Sequence, residues 1–305
     1  MADTADTILS VIREVTPGVT PTAAPGFRYL DTTDATFNTS AANQITSDIT
    51  RANRAPGDMV TSGFSVDGSL AGEWRRDTTL ELVLESALGS AKASNKIVGG
   101  SGNIYNTFEQ RMTTGTGSFL YFANAGCRTS EFGLTLDAQS KATWSGSIIG
   151  MAQTQRTAIM TGATYTAATQ GKLIDGSGAG SITIAGLTAT AYSIDLRVTT
   201  NLSPKFGLFA PDAFGIATGG NRVTTITIQG YRDDLNPDTV FARNTPIPVS
   251  FALGGGVGNV TTVAMPRCFA MPLERQTADN SEMWSVQLYA ANDTTLNSEV
   301  FFTFS

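Results

Sequence analysis

Two glycine-rich stretches are the first candidates for chemistry, because backbone amides in such loops can cradle a phosphate group. They are GGSGN from Gly99 and DGSGAGS from Asp175. Neither ends in the Lys-Ser/Thr pair of a P-loop, and neither has the strand-turn-helix context of a dinucleotide fingerprint. We therefore expect flexible turns at both stretches.

Acid–base and metal chemistry also find little support in the residue types. The chain contains no histidine, the commonest general base at neutral pH and the commonest metal ligand. The 26 Asp and Glu residues could include a glycosidase pair, but the sequence does not place two of them across one cleft. We predict a protein without enzymatic activity, metal or cofactor.

Two tryptophans and two cysteines recur at nearly the same spacing. Trp144 in TWSGSIIGMA and Trp284 in MWSVQLYAA are 284 − 144 = 140 residues apart, and each is followed by Ser and alternating apolar positions. Cys127 and Cys268 are 268 − 127 = 141 residues apart. We interpret these offsets as an internal duplication.

The duplication leaves two interpretations of these residues open. The tryptophans could stack on a sugar, but anchoring a core or an interface is the simpler role of a large aromatic ring in a strand. Equivalent cysteines of two repeats need not lie close together, so we expect two buried thiols rather than a disulfide.

Composition and charge narrow the class of protein. Only 15% of the residues are charged and 41% are hydrophobic, a balance typical of packed β-structure with extensive protein contacts. The net charge of −6 offers no basic surface for phosphates. The N-terminus lacks the positive region of a secretory signal and no run is long enough to cross a membrane, so we expect assembly in the cytoplasm.

The N-terminal segment is predicted as a short helix followed by an extended arm. Ile8, Val11, Ile12 and Val15 follow helical spacing, with Asp6 as a possible cap. Three prolines and two glycines between residues 17 and 26 then favour an extended arm that docks on a neighbouring molecule, with a frayed terminus as the alternative.

A strand followed by a capped helix occurs in each half of the chain. In the first half, the strand carries an apolar-x-Gly motif that ends at Gly68, and the helix that follows begins after Asp77 and ends at Gly89. In the second half, the same motif ends at Gly230, and the helix that follows starts at Asn236. We take the two strand glycines as equivalent, which places about 21 extra residues in the first half, around the Gly-rich stretch after the helix.

These patterns predict an all-β sandwich or barrel with short helices. We divide the chain into an N-terminal helix and arm (1–26), a first module (27–155), a Gly/Thr/Ala-rich linker or hairpin (156–189) and a second module (190–305). The strand candidates are residues 59–70, 131–137, 182–187, 191–199, 222–231, 246–253, 260–265 and 299–304.

The run from Gly26 to Gly89 resembles the N-terminal signature of phage major tail tube proteins. The matching residues are Ser47, Asp48, Ile49, Arg51, Arg54, Asp58, Val66, Gly68, Leu70 and Glu73. Asn201, Leu202, the TITIQGY strand and residues 266–269 resemble the family's second half, whereas residues 157–185 lie outside the resemblance and the family's Glu after Asp48 is absent. Taken alone, Arg51 and Arg54 beside Asp48 and Asp58 suggest intersubunit ion pairs or a solvated loop rather than an anion site.

The resemblance implies a structural building block of the virion tail. Such proteins form stacked rings in which hairpins of neighbouring subunits make one inner β-barrel, the conduit for double-stranded DNA at infection. The expected partners are further copies of the chain and the tail terminator, distal tail and tape measure proteins, with no membrane. Because tail tubes have six-fold or pseudo-six-fold rings, a duplicated chain is expected to form trimeric rings. The alternatives are a hexamer in which one half of the chain is the tube fold and the other half a decoration, a capsid or head-decoration protein, and a carbohydrate-binding virion protein.

Overall fold

A computed structural model of the chain describes residues 7–22, 26–49, 53, 57–115, 117–169, 171–176, 180–187, 190–233, 235–242, 244–254, 258–278 and 281–305. The fold is mainly β, as predicted, with short helices. The elements of the first half are β1 (Ile8–Arg13), β2 (Phe27–Leu30), β3 (Asp34–Thr46), β4 (Met59–Glu73), α1 (Thr78–Leu88), β5 (Lys96–Val98), β6 (Asn106–Thr113), β7 (Phe119–Asp137), β8 (Thr143–Gly150) and β9 (Ala152–Arg156). Those of the second half are β10 (Tyr165–Thr166), β11 (Ser181–Ile184), β12 (Ala191–Thr199), β13 (Leu202–Lys205), β14 (Gly215–Thr218), β15 (Val223–Tyr231), α2 (Asn236–Val240), β16 (Ile247–Leu253), β17 (Thr261–Ala270), β18 (Glu274–Ala278), β19 (Ser281–Ala290) and β20 (Phe301–Phe304).

The first helix has the predicted ends. The Asp77 carboxylate accepts a hydrogen bond from the Thr79 amide at 3.0 Å, which satisfies one of the free donors of the first turn. Gly89 follows the helix with a φ of 64°, the left-handed conformation that glycine adopts without a Cβ penalty. The helix buries an apolar stripe that consists of Leu80, Val83, Leu84, Ala87 and Leu88.

The second helix begins as predicted and has no side-chain cap. Asn236 is its first residue, and Leu235 occupies the cap position without a side-chain hydrogen bond. The Asn236 amide group instead donates to the Gly186 carbonyl at 2.9 Å, so this side chain ties the helix to the preceding turn.

The predicted N-terminal helix is wrong, because residues 8–13 form strand β1. This strand lies between β2 and β6 and pairs antiparallel with both. Its apolar residues satisfy helical spacing because residues on both faces of the strand are buried, with Leu9, Val11 and Ile12 each at most 2% exposed. The segment predicted as a helix therefore belongs to the chain's own sheet, and docking of the arm at residues 17–26 stays a prediction. Asp6, its predicted cap, lies outside the described residues.

Eight strand segments form one continuous antiparallel sheet, which we call the wide sheet. In spatial order they are β3, β4, β8, residues 131–137 of β7, β12, β15, β19 and β18. The long strand β7 leaves the wide sheet at its N-terminal half, where it pairs with β6 and β9.

Two smaller sheets adjoin the wide sheet. One has the order β9, β7, β6, β1, β2, β10. The other has the order β5, β20, β17, β16, β11. Phe37 of β3 contacts Phe108 of β6 with ring centroids 5.5 Å apart, so the wide sheet and the first small sheet share a buried core.

The same pairing order occurs twice along the chain. Strands β3, β4, β8, β7 and β6 are neighbours in that order, with β1 beyond β6 and β9 on β7. Strands β12, β15, β19, β17 and β16 repeat it, with β11 beyond β16 and β20 on β17. In each set the helix follows the second strand, β4 or β15. The predicted strand at 182–187 is confirmed as β11, within the segment expected to be a linker.

Candidate assembly interface

Each of the two predicted tryptophans lies opposite a glycine on the neighbouring strand. Trp144 faces Gly72, and a Cβ atom on that glycine would come 2.6 Å from the indole Nε1. Trp284 faces Gly230, where a Cβ atom would come 2.5 Å from the indole carbon Cζ2. Such close approaches leave room only for glycine.

The predicted equivalence of Gly68 and Gly230 is therefore wrong, since Gly72 holds the position that matches Gly230. Gly68 lies opposite Phe37, and its Cβ position is 2.6 Å from that ring. The extra residues of the first half number 55 − 38 = 17 when counted from Gly72 to Cys127 and from Gly230 to Cys268. They fall partly in the longer helix α1 and partly in the segment that follows it, and only that segment was predicted to hold the insertion.

Both indole rings belong to the core. Trp144 is 2% exposed and stacks on Phe132, with centroids 6.4 Å apart and planes 11° apart. Trp284 is fully buried, and its Nε1 donates to the Tyr231 carbonyl at 3.0 Å. Neither ring presents a face to solvent, so the carbohydrate-binding alternative loses the stacking platform on which it depended.

The two cysteines occupy matching places beside matching β-bulges. Cys127 pairs with Asn106, and Cys268 pairs with Ile247; in both cases the register shifts at the next pair. Each thiol donates to the carbonyl three residues earlier, that of Asn124 at 3.3 Å or Met265 at 3.7 Å. Both thiols are free and buried, as predicted, and burial raises the pKa of Cys127 well above its usual value and that of Cys268 to about 12.

The residues predicted to form ion pairs lie between β3 and β4 in the sequence. Arg51 and Arg54 lie outside the described residues. Asp58 is exposed; its carbonyl accepts from the Ser47 amide at 2.8 Å and its carboxylate from the Met59 amide at 2.7 Å. The role of these residues in contacts between chains stays a prediction.

The wide sheet contains one junction between the two repeated sets of strands, which we call the seam. Residues 131–137 of β7 pair antiparallel with residues 193–199 of β12. Backbone hydrogen bonds close its ends, from the Ala138 amide to the Tyr192 carbonyl at 2.9 Å and from the Thr200 amide to the Ser130 carbonyl at 2.7 Å. The seam continues the sheet without a break in its backbone ladder.

The two faces of the seam differ in character. One face is apolar and buried, with Leu134 directly opposite Leu196. On the other face Arg197 contacts Glu131 and Asp195, each at 3.1 Å, but its side chain is 56% exposed. Ion pairs this exposed contribute about 1 kcal/mol or less, so the backbone ladder and the apolar face hold the seam together.

The wide sheet ends in two open edges. Within the described part of the chain, β3 pairs with β4 alone and β18 pairs with β19 alone. An unpaired edge presents a row of amide and carbonyl groups that another strand can pair with. Neither edge strand was predicted from the sequence, although an offset of 141 from residues 131–137 points to residues 272–278.

Other kinds of site receive no support from the residues that are described. Among them, no group of three or more His, Cys, Asp or Glu side chains could hold a metal ion. In the same part of the chain, no helix has the length and hydrophobicity that a membrane crossing requires.

Comparison with known proteins identifies the family. No curated protein sequence matches the chain. The sequence profile of the family described as phage tail tube protein matches residues 4–292, which is nearly the whole chain. The match accords with the resemblance of residues 26–89 and with the mainly β fold, and it extends across residues 157–185. The chain therefore belongs to the phage tail tube protein family, and it is a structural component of the virion tail.

Proposed function

We propose that this protein is the major tail tube subunit and that three chains close into a ring with pseudo-six-fold symmetry. Each chain supplies two modules, residues 27–155 and 190–305, with residues 1–26 and 156–189 attached to them. The repeated order of strands supports this division, as do the matching tryptophan–glycine pairs and cysteine bulges.

One observation carries the proposal: the wide sheet joins the two repeated sets of strands once, at the seam, and ends in an open edge on each side. An exposed edge is a liability in a single molecule, and a closed ring removes it. With two modules in each chain, three chains supply the six positions of a tail tube ring.

Closure of three wide sheets gives an inner wall of 3 × 8 = 24 strands. Strands about 4.8 Å apart and tilted by about 40° form a wall about 50 Å across, so the interior is an aqueous channel and not a packed core. The net charge of −6 favours repulsion of DNA phosphates over adhesion, over a distance of about 8 Å at physiological salt. Stacked rings then form the conduit for genome ejection.

The remaining parts of the proposal follow from the role of a tail tube. The chain assembles in the cytoplasm of the host bacterium and contacts itself within and between rings. At the ends and in the lumen of the tube its partners are the tail terminator, distal tail and tape measure proteins. It needs no cofactor and carries out no reaction.

The mass of the isolated ring tests the stoichiometry. A ring of three chains has a mass of 3 × 32.0 = 96 kDa, to be measured by mass photometry or native mass spectrometry. Rings of six chains would refute the trimer while leaving the tube intact. A chain that stays monomeric at high concentration would refute the tube itself.

A further inference from the structure

We propose that β3 of one chain pairs antiparallel with β18 of the next, in a register that places Thr36 opposite Gln276 and Asn38 opposite Glu274. The proposal rests on the ring described above, and it specifies which backbone edges close the ring. The partner is a second copy of this chain, because the chain already contains the same junction once, at the seam.

Strands β3 and β12 occupy equivalent positions in the two repeated sets of strands. Both pair with the strand that precedes a helix, and both are placed by the glycine opposite the tryptophan. Asp34 pairs with Ala71, the residue before Gly72, and Ser193 pairs with Gln229, the residue before Gly230. Counting along the two strands makes Thr36 equivalent to Asp195 and Asn38 equivalent to Arg197.

Strand β18 and residues 131–137 of β7 are also equivalent, because each pairs with the strand that carries the tryptophan. Leu134 pairs with Trp144, and Arg275 pairs with Trp284. The offset of 275 − 134 = 141 equals that of the two cysteines, of which Cys127 lies on β7 and Cys268 lies on β17, the strand that precedes β18. Glu274 is therefore equivalent to Gly133, and Gln276 is equivalent to Thr135.

The seam supplies the register. At the seam Asp195 lies opposite Thr135, and Arg197 lies opposite Gly133. Replacing each residue by its equivalent places Thr36 opposite Gln276 and Asn38 opposite Glu274. Neither pair brings like charges together. On the inward face Phe37 lies opposite Arg275, where a guanidinium group can rest against an aromatic ring.

The backbone of the open edge of β3 has the required orientation. The amide of Thr200 and the carbonyl of Tyr192 bond to β7, so the even-numbered residues of β12 direct their backbone groups across the seam. Their equivalents Ala35, Phe37 and Thr39 face the open edge of β3. The Ala35 carbonyl accepts from the Gln110 amide group at 2.8 Å, and a carbonyl oxygen has a second lone pair for the incoming strand.

The same alternation makes the two proposed pairs suitable for cross-linking. Thr36–Gln276 and Asn38–Glu274 fall at non-hydrogen-bonded positions, where Cα atoms lie about 4.5 Å apart and side chains are closest. That separation lies within the range that a disulfide can span. All four side chains are exposed in the single chain, so their replacement disturbs no core.

The experiment uses full-length chains with paired cysteine substitutions, oxidised after assembly. Two matched variants are Thr36→Cys/Gln276→Cys and Asn38→Cys/Glu274→Cys. A shifted control, Asp34→Cys/Glu274→Cys, places the thiols four residues out of register, roughly 13 Å apart. A positive control across the seam, Thr135→Cys/Asp195→Cys, closes within one chain. The buried native cysteines stay in place, and the wild type measures their background.

We expect both matched variants to give dimers and a covalent trimer as the largest product of one ring, with no cross-link in the shifted control. Failure of both matched variants, in rings seen by electron microscopy and with the seam control closed, would overturn the β3–β18 pairing and leave the ring standing. Preferential cross-linking of the shifted variant would overturn the register. The absence of rings in the wild type would overturn the proposed function as well.

Discussion

Gly230 lies directly opposite Trp284 on the neighbouring strand, and a methyl group on this glycine would come 2.5 Å from the indole ring and 2.6 Å from the Thr190 carbonyl. Neither the ring nor the backbone carbonyl can move far inside a packed sheet. For Gly72, the residue that matches Gly230 in the first half, the three atoms nearest to the Cβ position all belong to the Trp144 indole, the first of them at 2.6 Å. The two glycines therefore allow each tryptophan ring to pack closely against the backbone of the neighbouring strand.

Gly230→Ala is expected to lower the free energy of unfolding by about 1–3 kcal/mol through overpacking, with Gly72→Ala close behind. Chemical denaturation followed by tryptophan fluorescence measures the effect. Gly215→Ala is the matched control, because this strand glycine has no atom within 4 Å of its Cβ position. Equal stability of Gly230→Ala and Gly215→Ala would contradict the close packing.

Leu9→Ala tests whether the N-terminal segment is a core strand or a docking arm. Leu9 is 2% exposed in β1, so its truncation should cost about 2–5 kcal/mol of folding stability. Val15→Ala, at a position 92% exposed, should change stability by less than about 0.5 kcal/mol. If Leu9→Ala left thermal unfolding unchanged and only blocked polymerisation, β1 would be an arm after all.

Arg156→Ala should destabilise the chain by about 3–5 kcal/mol, because it leaves the Glu109 carboxylate, 1% exposed, without its ionic partner. The Tyr165 hydroxyl also bonds to Glu109 and cannot neutralise it. Arg197→Ala, which removes an exposed pair at the seam, should cost about 1 kcal/mol or less. Equal urea midpoints for Arg156→Ala and Arg197→Ala would refute this ranking of the two ion pairs.

Stability should fall at alkaline pH because of Cys268. Burial raises the pKa of its thiol from 9.0 to about 12, so the unfolded chain releases this proton first as the pH rises. The stabilisation is fully present below pH 9 and is lost between pH 9 and about pH 12, by about 2 kcal/mol at pH 10.5. Between pH 8 and pH 10.5, the free energy of unfolding should fall by about 2 kcal/mol less in Cys268→Ala than in the wild type. Equal losses in the two proteins would refute the role of Cys268.

The sequence predicts best those elements in which one face is buried. The strand at residues 191–199 was predicted with its observed ends because its apolar residues alternate. Strand β1 was mistaken for a helix because both of its faces are buried, and β3 was missed because nearly all of its residues are polar and exposed. Helix α1 was predicted with both ends because local cap chemistry determines them.

The candidate interface was only partly predictable, since pairing between distant strands leaves no local signal. The tryptophan and cysteine offsets indicated the duplication correctly. The prediction that Gly68 is equivalent to Gly230 was wrong because the sequence around Gly68 resembles that around Gly230. The structural equivalent, Gly72, has different neighbours in the sequence. The open edges became evident only once the pairings of β3 and β18 were known.

Electron cryomicroscopy of assembled tubes is the decisive experiment for the proposed ring, because it counts the chains in each ring. We predict three chains per ring, each contributing eight strands to a 24-stranded inner wall, with β3 of one chain beside β18 of the next. A ring of six chains would refute the trimer, and a wall in which these two strands stay unpaired would refute the proposed closure of the ring.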